Sequence, residues 1–126
     1  MTEHAPIVIV GRFDPSDATH TALRDAILHA ETQKNVVVST RWVGPDELDR
    51  LDDALGRATA AVIAPSSAHA RLELVPEILD AIGWLRRRHV PTLAIESGFQ
   101  HMTIEWARAV LAHPGANART FDESTE

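Results

Sequence analysis

Carboxylates, imidazoles and hydroxyls are the groups of this 126-residue chain that could do chemistry, and one stretch spaces them tellingly. It is Pro91-Thr92-Leu93-Ala94-Ile95-Glu96-Ser97-Gly98-Phe99-Gln100-His101. A short apolar run stops at Glu96, and a helix-compatible stretch follows at once. That is the layout of a nucleophile elbow, in which a tight strand-to-helix turn lifts one side chain at the end of a sheet. Glu96 takes the apex. A carboxylate there has three readings. It is a general acid or base, with its pKa set by burial at the edge of an apolar sheet. It is a nucleophile, as carboxylates are in some glycosyl-transfer enzymes. Or it only caps the next helix, held by free N–H groups and the helix dipole, which would make it a poorer base.

Other polar groups are expected at the same rim. His20 falls in the first turn of the first helix, behind Asp14 and Asp17. His69 follows Ser66 and Ser67, and Gln100 and His101 come one turn after Glu96. As a set, His20, His69 and His101 are expected to serve Glu96 as acid–base partners. Taken singly, each reads better as a solvated or hydrogen-bonded histidine. Ser66, Ser67, Ser97, Gln100, Asp14 and Trp42 are the expected substrate-binding groups. Ser97 is not read as a hydrolase serine, because Ile95-Glu96-Ser97-Gly98-Phe99 does not give G-x-S-x-G; its N–H is a candidate oxyanion donor. Trp84 and Trp106 read as packing residues. Imidazole and carboxylate suit zinc or iron, but no H-x-x-x-H spacing is present, so neither metal nor cofactor is expected.

The totals limit what these residues can belong to. Apolar residues make up 44% and charged residues 24%, ordinary for one globular domain. The net charge of -6 argues against a nucleic-acid partner, since binding phosphates needs a concentrated basic face. The one basic run, Arg86-Arg87-Arg88, reads as a solvated helix end. The chain has no cysteine, which removes disulfides, thiolate catalysis and cysteine–zinc sites together. No apolar run approaches the roughly 20 residues that span a bilayer. The polar start, Met1-Thr2-Glu3-His4, does not read as a signal peptide, so a cytoplasmic location is expected.

Strands and helices alternate four times. Ile7-Val8-Ile9-Val10 reads as a strand buried on both faces. A helix over about 18–31, capped by Ser16 or Asp17, carries Leu23, Ala26, Ile27 and Ala30 on its apolar stripe. Val36-Val37-Val38 opens the second strand. A helix then starts at Pro45, with Leu48, Leu51 and Leu55 on one face. Ala60 to Ala64 is the third strand, a helix begins at Pro76, and Pro91 to Ile95 is the fourth strand. The last helix runs from about Gly98 to Ala112. Residues 1–112 read as one domain, and residues 113–126 as an extended or frayed tail. The alternation implies an α/β, flavodoxin-like three-layer αβα fold with a four-stranded parallel sheet in the order 2-1-3-4. Ligands of such sheets bind beyond the carboxyl ends of the strands.

Three blocks resemble class I glutamine amidotransferase domains, and in particular the glutaminase domain of CTP synthase and its small stand-alone relatives. They are Ile7-Val8-Ile9-Val10-Gly11 with Asp14-Pro15-Ser16 and His20; Ala61-Val62-Ile63-Ala64-Pro65-Ser66-Ser67; and Pro91 to His101 continuing through Ile104-Glu105-Trp106-Ala107-Arg108-Ala109-Val110-Leu111. The resemblance implies that the apex residue is ordinarily a cysteine, replaced here by Glu96. It implies a glycine-rich oxyanion loop where this chain has Pro65-Ser66-Ser67. It also implies a catalytic histidine and glutamate in a C-terminal half that this sequence does not include, making it a truncated form of the domain. Glutamine hydrolysis by the family's thiolate mechanism is therefore not expected.

The expected function is binding of a small polar metabolite, nucleoside or amino-acid derived, at the C-terminal sheet edge. Glu96 would act in an isomerase, lyase or hydrolase reaction. The alternative is an inactive pseudo-amidotransferase that serves as a protein-interaction or regulatory subunit. The last strand offers a bare edge, so a homodimer is expected.

Overall fold

The computed structural model describes residues 4–125; the expectations for Met1 to Glu3 lie outside them. The elements run β1 (His4–Val10), α1 (Ala18–Lys34), β2 (Val37–Val43), α2 (Leu51–Leu55), β3 (Ala60–Ile63), α3 (Pro76–Arg87), β4 (Thr92–Ala94) and α4 (Ser97–Ala109). All pairings are parallel, and the order is β2-β1-β3-β4, as the alternation implied. No helix among the described residues is long and apolar enough to cross a membrane.

Strand periodicity divides the core in two. Val8, Val10, Ala61 and Ile63 point to one face and pack against Leu55 of α2 and Ile78, Ile82 and Leu85 of α3. Ile9, Val62 and Ala64 point to the other and meet Leu23 of α1. Right-handed crossovers require this division, because the chain leaves β1 toward β2 but returns past β1 to reach β3. α4 joins the α3 face. Its Glu105, 7% exposed, takes Arg86 at 2.8 Å and 3.1 Å, clasping the two helices. The basic run is therefore not a simply solvated helix end. Arg86 is drawn into that pair, and Arg88 lies over the Trp84 ring at 4.0 Å.

Other local expectations need correction. α1 buries His20 and Leu23, while Ala26 and Ala30 are exposed; it covers a narrower strip than its stripe suggested. The helix expected from Pro45 is a 3-10 turn, Pro45–Glu47, followed by a break and then α2. Glu47 turns back to accept the Gly44 N–H at 3.0 Å, and the aspartates of this segment are poor helix interior residues. Leu48 and Leu55 are still buried, so two short pieces satisfy the spacing read as one helix. Trp106, expected to pack, is 49% exposed. Residues 113–125 fold back along α4 in turns: His113 N–H reaches Ala107 O at 3.0 Å, and Arg108 Nε reaches Ala116 O at 2.7 Å.

Candidate functional site

Residues 64–75, linking β3 to α3, form the central loop at the carboxyl edge of the sheet. Asp17 caps α1 by accepting the N–H groups of Thr19 at 2.8 Å and His20 at 3.2 Å, and its second oxygen accepts Ala68 N–H at 2.7 Å. Asp14 accepts both groups of Ser16 on one oxygen and the Ser67 hydroxyl on the other at 2.5 Å. The Ser16 hydroxyl, then Ser67 and the Ser16 N–H, hold the Asp14 carboxyl down to about 2. The Ala68 N–H, ahead of those of His20 and Thr19, likewise lowers that of Asp17.

Two of the three expected acid–base histidines are struts. His20 is fully buried, with Nε2 donating to Pro65 O at 2.8 Å and Nδ1 accepting Asp14 N–H at 3.0 Å. His101 carries the opposite tautomer: Nδ1 donates to Ser97 O at 2.7 Å, and Nε2 accepts Val75 N–H at 3.0 Å. Burial lowers the His101 pKa, partly offset by the Ser97 carbonyl. Together the two rings pin the loop near its two ends, at Pro65 and at Val75. Neither has a nitrogen left for a substrate. The contribution is geometric: a backbone partner on each side of a buried ring fixes a neutral tautomer. Trp42 packs with tilted rings in the same structural group, 5.0 Å from His20 and 5.1 Å from Phe13, and lines neither cleft described below.

The elbow is formed as its spacing suggested. β4 ends at Ala94, α4 starts at Ser97, and Glu96 sits between them at φ 51°, ψ -117°. A side chain other than glycine in that conformation is strained and persists only when its surroundings fix it. They do so here. Ile95 N–H is tied to Ile63 O, and Gly98 N–H and Gln100 N–H close the turn onto Ile95 and Glu96 carbonyls. Gly98 is forced by close approach, since a Cβ there would collide with the Ile63 carbonyl oxygen. The Glu96 side chain is exposed and makes no capping hydrogen bond to α4. Neither the burial expected of a sheet-edge carboxylate nor the expected cap is present.

Two clefts flank the loop. The elbow cleft, about 590 Å³, gathers Glu96, Ser97, Gln100, Ser66 and Ser67, with Thr120 from the C-terminal turns. Ser97 Oγ accepts Ser66 N–H at 2.7 Å, locking elbow to loop, and Gln100 donates to Thr120 at 2.8 Å. The second cleft, about 650 Å³, takes Asp14 and His69 together with Ser66 and Ser67. His69 is thus across the loop from Glu96, and the expected convergence of histidines on Glu96 does not occur. Thr120 and the Phe121 ring, 4.8 Å from His101, are site-forming residues that the sequence reading missed; Phe121 is the one aromatic in an otherwise polar tail. Among the described residues no three His, Asp or Glu side chains are gathered for a metal ion.

No family model matches the chain. Its sequence is 31% identical to the CTP synthase of Haloarcula hispanica over 119 residues, covering 94% of this chain and 21% of that protein. It is 29% identical to the CTP synthase of Pyrococcus furiosus over 125 residues, covering 99% of this chain and 23% of that protein. Among solved structures, the glutaminase domain of Trypanosoma brucei CTPS with bound acivicin matches with a TM-score of 0.80 at 20% identity, over 96% of this chain and 47% of that chain. The chain thus spans about a fifth of the length of these curated relatives and about half of that glutaminase chain.

Proposed function

The chain is a class I glutamine amidotransferase-like domain related to CTP synthase, and from that premise we propose that it binds a small polar metabolite in the elbow cleft without acting as a glutaminase. The observation that carries this reading is Glu96 itself. An exposed carboxylate, unbonded by the helix it precedes, is kept in a strained backbone conformation over a cleft of ligand size. Strain of about 1–3 kcal/mol is retained where the surroundings serve a function. A glutaminase built on a thiolate is unavailable to a chain with no cysteine.

In this reading Glu96 stands in the position of the family's nucleophile. With His20 and His101 engaged as struts and His69 across the loop, the chemistry is that of a single carboxylate. Glu96 takes a proton from the substrate and returns it, either to a neighbouring atom, as in an isomerisation, or to a departing group, as in an elimination. Ser66, Ser67 and Gln100 hold the ligand, and the Ser97 N–H faces developing negative charge. A nucleoside or amino-acid derivative is the substrate class, in a cytoplasmic protein. The test is a thermal-shift and turnover screen of metabolites on the chain and on Glu96→Gln. A ligand that stabilises both forms, with turnover lost only in the variant, supports the assignment. Ammonia release from glutamine overturns it, and equal stabilisation with no turnover in either form overturns the catalytic role of Glu96.

A second reading rests on a different surface. Among the described residues β4 pairs only with β3, Leu93 is 60% exposed, and Phe99, Thr103 and Trp106 of α4, with Val110 just after it, are exposed. A second copy of the chain is the occupant we propose there. The stripe carries no charge, so a two-fold contact brings no like charges together. Phe99 also lines the elbow cleft, so the partner copy would supply one of its walls. Light scattering at micromolar concentration should give a dimer that Trp106→Glu converts to a monomer. A monomeric parent chain would overturn the dimer and leave this face to an inactive, protein-binding role.

A further inference from the structure

The second cleft lies where the connections of the sheet diverge. β1 passes the chain through α1 to β2 on one side, and β3 passes it through α3 to β4 on the other. The crevice outside the carboxyl ends of two such strands is where open α/β sheets take ligands. In this molecule that crevice is not the elbow. It is the cleft of about 650 Å³ between the β1–α1 loop, residues 66–75 and the start of α3. Its volume lies within the usual range for small-molecule sites.

The chemistry of the cleft follows from which of its charged groups are already committed. Asp14 is saturated by Ser16 and Ser67. Arg12 is paired with Asp46 at 2.8 Å. His69 also lines the cleft, its backbone N–H donating to the Ser67 hydroxyl at 3.1 Å. Arg71, Glu73 and Glu77 also line the cleft, and among the described residues none of the three is in an ion pair. Phe13, Pro15, Val75 and Ile78 give it an apolar side. One uncommitted cation, two uncommitted carboxylates and an apolar wall describe a receptor for a molecule with an anionic group, an ammonium group and an apolar body.

We propose that this cleft is a second binding site, independent of Glu96, for a free α-amino acid with an apolar or aromatic side chain. Arg71 takes the carboxylate through its two-pronged guanidinium. Glu73 and Glu77 take the ammonium, and the side chain lies along Phe13 and Ile78. The loop that carries Arg71 and Glu73 is pinned by His20, Asp17 and His101, so these groups are presented on a fixed frame.

The test is a titration of the isotope-labelled chain with L-phenylalanine, followed by amide chemical shifts. Saturable shifts confined to residues 11–15 and 66–78 are expected. N-acetyl-L-phenylalanine, which lacks the ammonium, should bind about tenfold more weakly, as should L-phenylalanine to Arg71→Gln, each losing one charged contact. Phenethylamine, which lacks the carboxylate, should bind the parent and Arg71→Gln alike. Glu96→Gln should leave L-phenylalanine binding unchanged, which separates this site from the elbow. Arg71 is exposed, so its variant is expected to fold, and circular dichroism checks that it does. No saturable shift up to about 10 mM, weaker than any useful affinity for such a ligand, overturns the proposal. Shifts centred on residues 96–100, or undiminished binding to Arg71→Gln, overturn it equally.

Discussion

The carboxylates of Asp14 and Asp17 and that of Glu96 stand on opposite flanks of one loop, and they are used in opposite ways. All four carboxylate oxygens of the two aspartates accept hydrogen bonds, and each residue ties the loop to the β1–α1 turn. Glu96 makes no cap, is exposed, and sits in a backbone conformation that costs energy. A carboxylate kept for architecture is saturated by its neighbours. One that is strained and left open is available to something that comes from outside.

The contrast can be broken from either flank. The largest effect is expected at Gly98, where a methyl group would collide with the immobile Ile63 carbonyl. Gly98→Ala should destabilise the chain by about 3 kcal/mol, read from urea denaturation. If it is neutral, the elbow is not the tight turn described. Next comes Asp17→Ala, which removes the cap of α1 and the tie to Ala68 at once. Its melting temperature should fall well below that of Glu96→Ala, and Ala68 N–H should exchange faster with solvent. Equal melting temperatures would erase the difference between the two flanks.

Replacing Glu96 should move stability the other way. Glu96→Gly relieves the positive φ and is expected to gain about 1 kcal/mol, whereas Glu96→Gln stays within about 0.5 kcal/mol of the parent. A loss on Glu96→Gly would mean that the side chain is structural after all.

Acidification separates the ties by pH. The folded pKa of His101 lies below its ordinary 6.5, so its contribution is complete above that value. It is lost as pH falls from there through the lowered folded value, because the protonated ring cannot accept from Val75. Val75 N–H exchange, corrected for intrinsic rates, should therefore quicken on going from neutral pH into this window. The Asp14 contribution is complete above its ordinary 3.8 and lost as pH falls toward about 2, so the Ser67 tie outlasts the Val75 one. Simultaneous release of both would contradict the assigned geometry.

The sheet order was legible because β-branched runs alternate with helical spacing, and that leaves few topologies. The elbow was legible because Ile95 to Phe99 compresses a strand end, a turn residue and a helix start into five positions. Less could be read about the histidines. His20, His69 and His101 all sit beside the rim in sequence, but whether a ring nitrogen is free depends on backbone partners 4 to 45 residues away. Nothing in residue type distinguishes a strut from an acid–base group. The turns after residue 112 were hidden for a related reason. They are held by scattered contacts, such as Arg108 on Ala116, Phe121 on His101 and Thr120 on Gln100, and not by a periodic apolar pattern.

Three tryptophans and no tyrosine make the ultraviolet emission of this chain a tryptophan signal alone. Trp84 is buried, Trp42 is half-buried against Phe13 and His20, and Trp106 stands half in solvent on the outer side of α4. A collisional quencher such as iodide therefore reaches Trp106 first. The protein carries its own optical gauge on that face: whatever settles there shields Trp106 and weakens iodide quenching, with no label attached.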